Sequence, residues 1–166
     1  MSYINVEETR FWKIIRLLNW SRMGDDEAVI VPAVRALAER SDNHIYSFAE
    51  VLAKLLYDID GVEWAKNMSA KPFITEYPYC APIDFLYARC CVVAHGKKFY
   101  KRVKRNPADM PKDFHFEALL TIPRQAWKLK HINEENFREF QYITKYNYAT
   151  FSNQRLWMER TPAEAE

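Results

Sequence analysis

Glycine is scarce in this chain, with three residues in 166 against a usual share of roughly 7%. That scarcity argues against a glycine-rich phosphate loop and against an all-β protein full of tight turns. Cysteine is nearly as rare, and its count of three is odd, so the disulfide framework of a small secreted domain is not expected. No stretch approaches the ~20 apolar residues of a membrane span, because the most apolar one, 83–94, is broken by Asp84 and Arg89. The first twenty residues hold Glu7, Glu8, Arg10, Lys13 and Arg16 and so lack the apolar core of a signal peptide. A cytoplasmic location is the expectation. Nucleophile and nucleotide signatures are missing as well: there is no Gly-x-Ser-x-Gly, no Walker sequence and no His-Glu-x-x-His.

What is present describes an ordinary globular protein, with 49% hydrophobic, 15% aromatic and 28% charged residues. At this length folding buries about 70% of the extended chain's surface, enough for a core without staples. The net charge of +2 conceals an asymmetry. Residues 1–84 hold 9 Lys/Arg against 13 Asp/Glu, and residues 85–166 hold 15 against 9. Such a split accompanies a charged partner or mutual attraction between two halves of one domain.

Apolar periodicity predicts an all-α fold. One domain is expected over 1–160, with six to seven helices around a buried central helix at 83–95 and a flexible tail at 161–166. Asn5 and Glu8 have capping-box spacing for a first helix over about 6–20. A second helix ends near Arg40, with Pro32 in its first turn or kinking it. Asp42 then caps a helix over about 43–58, where Ile45, Phe48, Leu52, Leu55, Leu56 and Ile59 recur at helical spacing. Asp60-Gly61 breaks that pattern before a short helix carrying Trp64. Three prolines between residues 70 and 82 predict a loop. A helix over about 116–131 requires Pro123 in an early turn or at a kink, and the aromatic-rich end from Asn133 is expected to pack back on the helices.

The segment 83–95 is apolar almost all round, with Gly96 where a helix end favours positive φ. Arg89 therefore points into protein, and burying it unpaired costs several kcal/mol or more. Its partner is expected from another helix, and Asp58, Asp60 and Glu117 are the candidates. Asp58, Asp60 and Glu63 form an acidic cluster whose simplest roles are helix capping and pairing with Arg89.

The candidate binding face lies on 97–105. Lys97, Lys98, Lys101, Arg102, Lys104 and Arg105 put six cations in nine residues, on an arc of about 160°, while Phe99, Tyr100 and Val103 share the other side. Such a face suits an acidic protein or phosphates, although a stacking platform for single-stranded nucleic acid needs aromatics exposed among the cations. Cys91 and His95, four apart on one helix, have a spacing open to metal binding or thiol activation. Cys80 and Cys90 add possible ligands, but without a Cys-x-x-Cys pair and on a helix expected to be buried a structural role is the expectation. His44, His115 and His131 are scattered. No catalytic residue, metal or cofactor is predicted.

The stretch Phe85-Leu-Tyr-Ala-Arg89-Cys-Cys-Val-Val-Ala-His-Gly96-Lys-Lys-Phe-Tyr100 resembles a bacterial family known as domain of unknown function 4240. Phe11-Trp12, Leu56-Tyr57, Asp60, Asn106-Pro107, Phe116-Glu117-x-Leu119-Leu120 and Tyr148-x-Thr150-x-Ser152-Asn153 are also similar to it, spanning residues 9 to 157. The resemblance implies a compact, mostly helical bacterial protein with no established activity. Members carry a Ser-Asp-Asp-like lead into the central helix, of which Cys80-Ala-Pro-Ile-Asp84 retains only Asp84. In size and style the chain also resembles antitoxin or immunity proteins, an analogy rather than a motif match.

The leading expectation is a non-catalytic protein-binding module, in its specific form an immunity protein that blocks a toxin domain. It would present its acidic half to a basic partner or 97–105 to an acidic one. A nucleic-acid-associated regulator using 97–105 is the alternative. An enzyme with a site near Arg89 comes third.

Overall fold

The computed structural model describes residues 3–69 and 81–158. The expected loop at 70–82 lies outside them except for Ala81 and Pro82, as does the tail at 161–166. Among the described residues there are eight α-helices and no strand. The fold is all-α and forms a single domain. The helices are α1 (Tyr3–Ile15), α2 (Asp26–Ala38), α3 (Asp42–Tyr57), α4 (Val62–Ala65), α5 (Pro82–Ala94), α6 (Lys97–Arg105), α7 (Ile122–His131) and α8 (Gln154–Trp157). No helix among these residues is long and apolar enough to cross a membrane.

The periodic segments fold as read, with corrections at their ends. Asn5 lies inside α1 rather than at its N-cap, and the Glu8 carboxylate accepts from the Trp12 indole at 2.9 Å. The first helix also stops at Ile15 instead of continuing to Trp20. The amides of Leu17 and Leu18 bond three residues back, which tightens the last turn. Asn19 then caps a short 3₁₀ turn, Trp20–Arg22, and donates its own amide to Val29. Asp25 accepts from the Ala28 amide at 3.1 Å and starts α2. Pro32 lies in the second turn of α2, beyond the early position, where it can return no amide to the Ala28 carbonyl. At α3 the N-cap is Ser41, and Asp42 is the first helical residue.

Helix α5 occupies the centre. Phe85, Leu86 and every residue from Ala88 to Ala94 are buried, whereas Ile83 at its start is half exposed. Gly96, at φ +95°, ends α5 and begins α6. This is the left-handed backbone that a side chain would strain. The 116–131 segment divides into a 3₁₀ turn, Glu117–Thr121, and α7, which begins so that Pro123 falls in its first turn. Between α7 and α8 the chain runs back over the helices without a regular helix or strand. Tyr46 of α3 stacks with Tyr142 at 4.7 Å between ring centres and with Trp127 at 5.6 Å, and the Trp127 indole donates to the Arg138 carbonyl.

Candidate functional site

Helix α6 has a sharp start at Gly96 and a sharp end at Asn106, whose extended backbone is set by the following Pro107. The helix is fastened to the rest of the fold by three polar links. Tyr100 Oη donates to the Leu55 carbonyl at 2.9 Å, the Trp64 indole donates to the Val103 carbonyl at 3.0 Å, and Lys104 reaches Asp58 at 2.8 Å. Burial drives the Tyr100 phenol well above its ordinary pKa, so it remains a neutral donor.

The six cations divide into two sets. Lys97 lies 3.6 Å from Glu8, Lys104 pairs with Asp58, and Arg102 lies 3.6 Å from Asp109 with its guanidinium over the Phe99 ring. Lys98, Lys101 and Arg105 are exposed and make no ion pair among the described residues. Together with Lys104 they line one shallow depression. Phe99 lies beneath Arg102 and is only half exposed, so the face offers charge without a stacking platform.

The buried arginine has the kind of partner that its position requires. Arg89 and Asp60 are both fully buried, with Nη2 and Oδ1 3.7 Å apart. Arg89 also donates to the carbonyls of Leu56 and Tyr148 and to Thr150 Oγ1, at 2.8, 3.0 and 3.1 Å, and its guanidinium lies over the Phe85 ring. Asp60 accepts from the amides of Phe151 and Asn153 and from the Trp157 indole. The two charges thus clamp residues 148–157, and the late Tyr148-x-Thr150-x-Ser152-Asn153 pattern forms the other half of the clamp.

The other two proposed partners do not meet Arg89. Asp58 faces the opposite way and bridges Lys54 and Lys104. Glu117 is exposed before α7, where its charge adds to burial in raising the Asp26 carboxyl. The acidic cluster does not converge either, since Glu63 pairs with Lys66. Closed off from solvent, Arg89 and Asp60 are placed to hold the chain together and not to meet a substrate.

Cys91 and His95 are neighbours, Sγ to Nδ1 3.6 Å, but the ring nitrogen is nearer the Cys91 carbonyl, at 2.8 Å. Burial pushes the Cys91 thiol up to about 11 and the Cys90 thiol higher still, the reverse of activation. Cys80 lies outside the described residues. Among those residues no three His, Cys, Asp or Glu side chains gather as metal ligands.

Sequence reading missed the role of His131. It is buried between Glu134, 2.6 Å from Nδ1, and Asp42, 3.0 Å from Nε2. The i, i+3 spacing to Glu134 was visible in the sequence. The contact with Asp42, 89 residues away, was not.

A family model described as protein of unknown function (DUF4240) matches residues 6–129. The match takes in Arg89, Asp60 and all of α6, but ends before the segment that the two buried charges clamp. No curated protein and no solved structure matches the chain.

Proposed function

The chain belongs to the DUF4240 family of proteins of unknown function, and from the geometry of α6 we propose that it is a non-catalytic protein-binding module whose basic face meets an acidic partner. The observation that carries this reading is the exposed set Lys98, Lys101 and Arg105, un-neutralised on a helix fastened to the rest of the fold by Tyr100, Trp64 and Lys104. Cations presented on a helix whose backbone is held in place steer an acidic surface into register. An immunity- or antitoxin-like role, with a toxin domain as the partner and the cytoplasm as the place of action, is the specific form of the proposal.

A nucleic-acid-associated role through the same face is the second reading, favoured by the basic depression of Lys98, Lys101, Lys104 and Arg105 and opposed by the half-covered Phe99. Capture of the tagged chain's partners from its native cells separates the two. A stoichiometric protein retained after nuclease treatment and through moderate salt supports the module. Material lost with nuclease, its affinity falling by roughly one logarithmic salt-slope unit per phosphate contacted, supports nucleic acid.

A further inference from the structure

A second site lies away from α6, in a cleft of about 190 Å³ between α1, α3 and the C-terminal end of α2 with the residues that follow it. Arg10 and Lys13 of α1, Arg40 after α2 and His44 of α3 all line it, opposed by the single carboxylate of Glu7. Glu7 is already engaged, with Arg10 at 2.7 Å. Lys13 and Arg40 make no ion pair among the described residues, and His44 Nδ1 shares a hydrogen bond with Ser41 Oγ. The floor is apolar, made by the buried Phe11, Leu37 and Phe48.

Gathering like charges costs energy unless an anion offsets it. Helix dipoles favour Lys13 in the last turn of α1 and Arg40 just beyond α2, but they favour each separately and not their convergence. His44 stands in the first turn of α3, at the positive end of that helix. The cluster also arises in the half of the chain that holds 9 basic against 13 acidic residues, so a general excess of positive charge does not account for it.

We propose that this cleft binds a small organic anion, a carboxylate or phosphate monoester carried on an aromatic or branched apolar body. The charged group would meet Lys13, Arg40 and His44, and the apolar body would lie on the Phe11–Leu37–Phe48 floor. Size sets the class. Pockets for drug-sized ligands run to ~300–1,000 Å³, so this smaller cleft suits a single ring with one anionic group better than a nucleotide.

The test titrates the folded full chain with benzoate, phenyl phosphate, inorganic phosphate and benzamide while amide NMR shifts are followed. At least one of the two organic anions saturates with Kd about 1 mM or tighter and shifts the amides of α1 and α3, and which one binds better identifies the anionic group. Inorganic phosphate and benzamide each bind at least about tenfold more weakly, because each lacks one half of the interaction. Lys13→Gln/Arg40→Gln lowers the affinity by about tenfold or more and leaves the melting temperature unchanged. Failure of both organic anions to saturate, equal binding of benzamide or of inorganic phosphate, or native affinity in the double variant would each overturn the proposal. Charge reversal on α6 leaves this binding unaltered, so the two sites fail or succeed separately.

Discussion

Arg89 and Asp60, both without solvent exposure and 3.7 Å apart, hold the C-terminal segment from its two sides. Arg89 takes the Tyr148 carbonyl and the Thr150 hydroxyl, and Asp60 takes the amides of Phe151 and Asn153. The geometry leaves Phe151 at φ 74°, a left-handed backbone that is costly for an aromatic residue and that the flanking bonds maintain. Removing either charge strands the other in the core. Arg89→Ala is expected to lower unfolding stability by about 3–5 kcal/mol, and Asp60→Ala by a similar amount. Urea denaturation measures both, and limited proteolysis should cut first within 148–157. A loss of under about 1 kcal/mol in both variants would remove the clamp from the account.

Gly61 is required by close approach. A Cβ there would lie 2.7 Å from Leu156 Cβ and 3.0 Å from the Leu156 carbonyl oxygen. Gly61→Ala should therefore push α8 away and cost about 1–3 kcal/mol, read as a lower denaturation midpoint. Unchanged stability would show that α8 yields freely.

The His131 contacts predict a pH-dependent stability. The hydrogen bond to Glu134 first, and then the bond and charge of Asp42, raise its pKa above 6.5 against the opposing effect of burial. The native state therefore holds a proton that the unfolded chain loses earlier as pH rises. This contribution is fully present below about pH 6.5 and disappears as pH climbs through the raised native value. Urea midpoints taken from about pH 5.5 to 8.5 should fall across that window in the native protein and fall less in His131→Gln. Parallel profiles would assign the slope to other groups.

Thiol chemistry provides a fourth structural test. With both thiols buried and raised, Cys90 and Cys91 should resist iodoacetamide in the folded protein near pH 8 and react once it is unfolded. Peptide mapping by mass spectrometry separates them from Cys80. Rapid labelling of Cys91 in the native state would revive an activated Cys91–His95 pair.

Much of this architecture was legible because it rests on local periodicity. The α3 pattern, the all-round apolarity of α5, the positive-φ glycine and the one-sided charge of α6 are each carried by residues adjacent in sequence. The demand that Arg89 find a carboxylate was legible too, from the cost of burying a charge. Which carboxylate it finds was not. Asp58 and Asp60 are two residues apart at one helix end, and their directions depend on how the chain turns there and on Phe151, Asn153 and Trp157, more than 90 residues later. The early stop of α1 escaped for a similar reason, since Asn19 is fixed by Val29 of the next helix. The cationic cleft was not legible, because Arg40 and His44 are brought to Arg10 and Lys13 of α1 only by the packing of separate elements.

The central claim is that α6 is a binding face, and charge reversal on a purified complex tests it most directly. Lys98→Glu/Lys101→Glu/Arg105→Glu touches none of the bonds that fasten the helix, so the melting temperature should be unchanged. Titration calorimetry against the purified acidic partner protein should show affinity falling by at least about tenfold in the variant, and the native affinity should weaken as salt is raised. Equal affinity of the variant and the native chain, with the same salt response, would contradict the account.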